Sequence, residues 1–308
     1  MAAEGGALRV GTRGSPLALW QADWVERSLR RLRPGAVVER VIITTSGDRD
    51  HATALAAMGG RGVFVTEIET ALRSGRIDVA VHSCKDVPTT MADDLMLAAY
   101  PVRARTNDVF VSSRYPTIDD CPPDARIGTG SPRRRVQLHW ASPRILFVEL
   151  RGNLDTRLRK VREGEVDGAV LAAAGIERLG KELVEGLHVQ QLGFDVMIPA
   201  AGQGALALQT RVDDPSTREV VGLLDDPKVR SCVEAERAFL GAVGGGCHQP
   251  VGALARLSGR GLTLEVAAAS TEDGFVVRSR GRQLPGETPQ ALGERVAQEV
   301  AAWLVVER

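Results

Sequence analysis

Cys247 stands in the stretch GAVGGGCHQPVGA (residues 241–253), behind three glycines and three residues ahead of a proline. Backbone with so little side-chain cover lets other groups come close, whereas a thiol kept for packing has bulky apolar neighbours. The pattern predicts an accessible thiol on a loop, able to hold a group covalently or to attack one. A second set of reactive types closes the apolar run IDVAVHSCKD (77–86), which ends in Ser83, Lys85 and Asp86. A carboxylate there can take or give a proton, and a neighbouring ammonium can hold it ionised or bind an anion. The plainer alternative is an exposed loop ion pair. His82 and Cys84 share one face of the run, but no third or fourth ligand accompanies them and no metal is expected.

Arginine is the third chemical theme. Lysine occurs only at 85, 160, 181 and 228, so 35 of the 39 basic residues are arginine. A GC-rich coding sequence accounts for much of that bias. Position adds something further, because Arg13, Arg133, Arg134, Arg151, Arg157 and Arg178 all map near strand ends or the helix starts that follow. In SPRRR, Arg133 and Arg134 fall in the first turn of a helix, where positive charge opposes the dipole and an anion is favoured. Arginine forks bind carboxylate and phosphate in bidentate fashion. The expected ligand therefore carries several carboxylates or phosphates.

The elements that must hold these residues are legible as a repeat. VGTRGSP (10–16) and IGTGSP (127–132) each follow a short apolar run and precede a helical pattern. After the first, Leu17, Trp20, Trp24, Val25, Leu29 and Leu32 recur at helical spacing. Ser15 and Ser131 suit N-cap positions, with Pro16 and Pro132 first in the helix. LRSGRIDVAV (72–81) and VREGEVDGAV (161–170) share five of ten positions, each reading as a helix end, a glycine stop and a buried strand. Two α/β domains of one design follow, doubly wound in the manner of periplasmic binding proteins, with ligands beyond the carboxyl ends of the strands and a cleft between the domains. Beyond about 226 a helical stretch leads to the glycine loop. LTLEVAAAS and GFVVRSRGRQL then read as antiparallel strands, and 288–305 as a closing helix. The expected domains are 1–103 with 200–222, then 104–199, then a small α+β domain over 223–308.

Composition bounds the rest. At 308 residues the chain exceeds a single core. A formal net charge of zero supplies no field to draw in nucleic acid or an anionic membrane. The four cysteines, at 84, 121, 232 and 247, show no zinc-ligand spacing. The opening MAAEGGALRV has no basic stretch before an apolar core, and no apolar run reaches the roughly 20 residues of a membrane helix. A cytoplasmic protein with free thiols is expected.

Taken in order, GTRGSPLALWQ, AVHSCKDVPT, GTGSPRR, LRGNLDTRL, LAAAGIERLG, AAGQGAL and GGGCHQPVG resemble the porphobilinogen deaminase (hydroxymethylbilane synthase) family from about residue 8 to 255. The resemblance implies a transferase of tetrapyrrole biosynthesis that joins four porphobilinogens head to tail, with loss of ammonia, into hydroxymethylbilane. It implies a dipyrromethane cofactor attached by a thioether to Cys247, and Asp86 as the catalytic group. Ser83, Lys85, Asp86, Thr129, Ser131, Arg133 and Arg134 would hold the cofactor. Arg13, Ser15, Gln21, Arg151, Arg157, Arg178 and Gln203 would hold the substrate and the growing chain. Arg61 and Phe64 would lie on a mobile loop. The implied partner is the small-molecule substrate alone, with no nucleic acid or membrane, and the chain is expected to be monomeric. This sequence departs from the family pattern at Gly130, usually serine, at Arg61, usually lysine, and at His248, where glutamine or serine is commoner.

Two other readings stay open at the level of sequence. Twin α/β domains around a cleft also describe a non-enzymatic receptor for an organic anion. A thiol hydrolase would use Cys247 as nucleophile and needs a base other than the adjacent His248.

Overall fold

The computed structural model describes residues 7–45, 65–244, 249–269 and 275–305. In chain order the first elements are β1 (Leu8–Thr12), α1 (Pro16–Leu32), β2 (Val38–Ile42), α2 (Thr66–Arg73), β3 (Val79–Ser83) and β4 (Leu95–Ala99). Next come β5 (Asp108–Ser112), β6 (Arg126–Gly128), α3 (Pro132–Ala141), β7 (Leu146–Val148), α4 (Leu154–Arg162), β8 (Gly168–Ala172), α5 (Ala173–Leu179) and β9 (His188–Gln191). The chain continues through β10 (Leu206–Arg211), α6 (Pro215–Gly222), α7 (Pro227–Ala242), β11 (Val251–Ser258), β12 (Gly261–Ala268), β13 (Val277–Arg282) and α8 (Pro289–Val305).

Two compact units result, one of residues 1–103 with 205–230 and one of 104–204 with 231–308. The first holds a sheet in the order β2-β1-β3-β10-β4, the second a sheet in the order β7-β6-β8-β5-β9. In each, three successive strands pair in parallel, with the first in the middle, and one strand enters antiparallel between the third and an edge strand. The two sheets share one spatial arrangement of strands, although the inserted strand comes last in the chain order of the first sheet and first in that of the second. The repeat read from short motifs is thus a repeat of whole sheets, and the fold is a doubly wound α/β design occurring twice.

Period-2 alternation puts apolar side chains on both faces of each sheet. Val79 and Val81 pack with Val25 and Leu29 of α1, whereas Ala80 faces Ile68 and Leu72 of α2. In the second sheet Val109, Val111 and Leu171 meet Leu158 and Ile176, and Phe110 and Val170 meet Leu138. Strands covered on both sides read as continuous apolar runs, which is why they were recognisable. Gly75 and Gly164 both end a helix at positive φ, 66° and 73°, as the shared glycine of the repeat predicts.

The second unit also holds the antiparallel sheet β11-β12-β13. Phe239 of α7 and Leu292, Val296 and Val300 of α8 pack on it. The reading of 227–305 as helix, strands and closing helix is matched, with β11 as an added strand.

Candidate active site

In the first unit β1 and β3 are parallel neighbours, so the turns at their carboxyl ends share one edge of the sheet. Arg13 follows β1, and Ser15 caps α1 by accepting from Ala18 N at 3.4 Å, with Pro16 first in the helix. Ser83 ends β3, and Cys84–Asp86 form a single 3-10 turn. That turn leaves Cys84 buried, Lys85 half-buried and Asp86 exposed. Gln21, buried on α1, donates from Nε2 to the Ser83 hydroxyl at 2.8 Å. The two turns that carry these predicted site residues, after β1 and after β3, thus lie at one sheet edge.

His82 points into the protein. Its Nε2 lies 3.0 Å from Gln209 Oε1, and Gln209 donates in turn to Glu69 Oε1 at 3.0 Å. Burial, opposed by the Gln209 bond and aided by the charge of Arg13, pushes the imidazole down to about 4. The ring is neutral near pH 7 and donates to the amide oxygen. Among the described residues no group of three or more His, Cys, Asp or Glu is arranged to hold a metal ion.

In the second unit β7, β6 and β8 are parallel, and their carboxyl ends carry Thr129 and Ser131, Arg151, and, through α5, Arg178. Because β5 runs antiparallel to β8, its first residue lies at that same edge, Asp108 opposite Ala172. Asp108 is the charged residue at this edge that motif reading missed. Its fully buried carboxylate accepts from Arg133 Nη1 at 2.7 Å through Oδ2, and from Arg134 Nη2 at 2.7 Å and Nε at 3.1 Å through Oδ1. Gln203 adds an Nε2 bond to Oδ1 at 3.1 Å and another to Thr106 O at 2.7 Å. Burial alone would raise the Asp108 carboxyl, but the two guanidiniums outweigh it and hold it well below the usual carboxylate range.

The anion expected at SPRRR is therefore present within the chain. One carboxylate between two guanidiniums leaves one net positive charge. Ser131 occupies the N-cap of α3 without capping it through its side chain. Arg133 Nε is buried without a hydrogen-bond partner among the described residues. A hydroxyl not engaged in capping, an unsatisfied guanidinium N–H and residual positive charge fit a cofactor bearing carboxylates.

The remaining arginines differ in setting. Arg178 is buried, donates from Nη2 to Gly204 O at 2.7 Å, and is pushed down to about 10 by burial against the opposing charge of Glu177. Arg157 donates from Nε to Gly152 O at 2.8 Å. Arg151 donates from Nε to Glu149 Oε1 at 2.9 Å. Arg61, Phe64, Cys247 and His248 lie outside the described residues.

Comparison with known proteins decides the family. A model described as "Porphobilinogen deaminase, dipyromethane cofactor binding domain" matches residues 8–219, and one described as "Porphobilinogen deaminase, C-terminal domain" matches 230–302. The chain belongs to the porphobilinogen deaminase family. It is 45% identical to the porphobilinogen deaminase of Roseiflexus castenholzii over 294 residues, 96% of this chain and 95% of that one. It is 44% identical to the porphobilinogen deaminase of Acidithiobacillus ferrooxidans over 296 residues, 96% and 95% of the two chains. Among solved structures, the methionine-binding protein MetQ is similar at a TM-score of 0.45 and 13% identity, covering 73% of this chain and 92% of that one. The periplasmic VFT2 domain of Bordetella pertussis BvgS is similar at 0.42 and 18%, covering 70% and 85%. The porphobilinogen deaminase assignment makes this chain an enzyme of tetrapyrrole biosynthesis with a dipyrromethane-binding domain, rather than a receptor or a hydrolase. Among the described residues no helix is long and apolar enough to cross a membrane.

Proposed function

We propose that this family member forms hydroxymethylbilane with Asp86 as its catalytic group and Cys247 as the thioether anchor of dipyrromethane. The observation that carries the reading is the gathering of Arg13, Ser15, Ser83, Lys85 and Asp86 at the carboxyl edge of β1 and β3.

When bound, the cofactor supplies the nucleophilic pyrrole carbon to which the first substrate is joined. Ser83, Lys85, Thr129, Ser131, Arg133 and Arg134 hold its carboxylates, the two buried arginines through donors that Asp108 does not use. Arg13, Ser15, Gln21, Arg151, Arg157, Arg178 and Gln203 bind the acetate and propionate groups of substrate and product, a task suited to guanidinium forks. Exposed Asp86 moves a proton at the aminomethyl nitrogen of porphobilinogen so that it departs as ammonia. The same carboxylate then offsets the positive charge that develops on the pyrrole ring. Residues 223–308 act as a third domain that presents Cys247, and Arg61 and Phe64 belong to a loop that covers bound substrate. The enzyme works as a cytoplasmic monomer on a small molecule, in keeping with its zero net charge.

Intact mass spectrometry of acid-denatured protein tests the proposal. Wild type made in a host able to supply porphobilinogen is expected to exceed its sequence mass by one dipyrromethane. Cys247→Ala is expected to lose both the added mass and the activity. Unmodified wild-type protein from such a host would overturn the attachment.

A further inference from the structure

Gly130 follows β6 in GTGSP, and a Cβ built there would lie 2.8 Å from Glu149 Oε1. The space a side chain would take is filled by the Glu149 carboxylate. Glu149 directly follows β7. Its Oε1 accepts from Arg151 Nε at 2.9 Å, and its Oε2 accepts from Arg135 Nη2 at 2.9 Å. One carboxylate thus bridges a guanidinium from the loop after β7 and one from the first turn of α3.

This bridge contrasts with the one at Asp108. Asp108 is fully buried, whereas the Glu149 side chain is 46% exposed and its partners Arg135 and Arg151 are 26% and 35% exposed. A buried charge cannot be released without a large desolvation cost. An exposed ion pair is worth little and exchanges readily. A carboxylate from solution offers Arg151 the same chemistry as Glu149 and can replace it like for like. A monocarboxylate would merely replace a bond already made. A ligand with further carboxylates, gripped elsewhere, gains more than it displaces.

We propose that Glu149 is a positioning residue for substrate recognition. It holds Arg151 and Arg135 as an internal counter-ion until a carboxylate of the incoming pyrrole takes its place, and Gly130 provides the room it occupies. The proposal rests on the reading of Arg151 as a binder of substrate carboxylate.

The test uses Glu149→Gln, which keeps the shape and removes the charge, in the cofactor-loaded enzyme. The probe is a pyrrole with acetate and propionate arms and no aminomethyl group, followed by equilibrium dialysis. Glu149→Gln is expected to bind it about threefold more tightly, the size of an exposed ion pair, and with a steeper fall in affinity as salt rises. KM for porphobilinogen is expected to drop by the same factor with kcat unchanged. Gly130→Ala should act in the same direction, and should add nothing in the Glu149→Gln background. Unchanged or weaker probe binding by Glu149→Gln overturns the proposal. Arg151→Gln separates the two claims. If it weakens binding while Glu149→Gln fails to tighten it, only the role of Glu149 falls; if Arg151→Gln binds as wild type, both readings fall.

Discussion

Arg134 grips Asp108 twice through one carboxylate oxygen, from Nη2 at 2.7 Å and from Nε at 3.1 Å, with the carboxylate fully buried. Arg133 takes the other oxygen, so neutralising Asp108 strands two buried cations. Removing one partner of such a cluster costs roughly 3–5 kcal/mol. Asp108→Asn should lower the urea midpoint accordingly, whereas replacing exposed Asp155 on α4 should leave it nearly unchanged. Because the folded carboxyl is held below its unfolded value, its contribution is fully present above about pH 4 and is lost only as pH falls through the lower folded value.

His82 acts in the same direction over a higher pH window. Its folded value near 4 lies below the ordinary 6.5, so the unfolded chain binds a proton between these limits and the folded chain does not. Stability should therefore fall as pH drops from 6.5 towards 4, by up to roughly 3 kcal/mol, and then level off. Urea titrations at pH 7 and pH 5 measure this. In His82→Gln the difference between the two pH values should shrink.

Gln21→Met tests the bond between α1 and the end of β3. Loss of the 2.8 Å bond to Ser83 should cost about 1 kcal/mol of stability. Activity should suffer more, with kcat/KM lowered about tenfold, because Ser83 opens the turn that carries Asp86. Steady-state kinetics beside urea unfolding distinguishes the two effects. A loss of stability without a loss of rate would remove Gln21 from the site.

Glu236 offers a structural control. Its buried carboxylate accepts from Gly202 N at 2.7 Å and from Ala255 N at 2.8 Å, tying α7 to β11 and to the segment bearing Gln203. Glu236→Ala leaves two buried N–H groups without that acceptor and should destabilise by roughly 2–4 kcal/mol. The unfolding midpoint should drop in protein with and without cofactor alike.

What could be read from sequence was what local physics encodes. The shared glycine stops, the serine–proline helix starts and the apolar strands each follow from a few adjacent residues, and all are in place. Arg133 and Arg134 were recognised as a demand for an anion, but Asp108 lies 25 residues earlier and reaches them only because β5 enters the sheet antiparallel. Glu236 escaped notice for the same reason, being one acidic residue on a helix whose two backbone N–H donors lie far away in sequence. Pairings set by strand order have no signature in a short window. The register of β10, drawn from beyond residue 200 into the sheet of the first segment, was anticipated only as a domain boundary.

That inserted strand imposes an order on biogenesis. On the ribosome, β1, β2 and β3 emerge more than a hundred residues ahead of the partner that separates β3 from β4. The sheet of the second unit gathers its five strands from one uninterrupted stretch and can close first. The amino-terminal sheet must wait, its third strand presenting an open edge until residue 211 has cleared the ribosome. A chain of which only the first 200 residues have cleared the ribosome would carry one finished sheet and one unfinished one, a ready substrate for chaperones or for pairing with a neighbour.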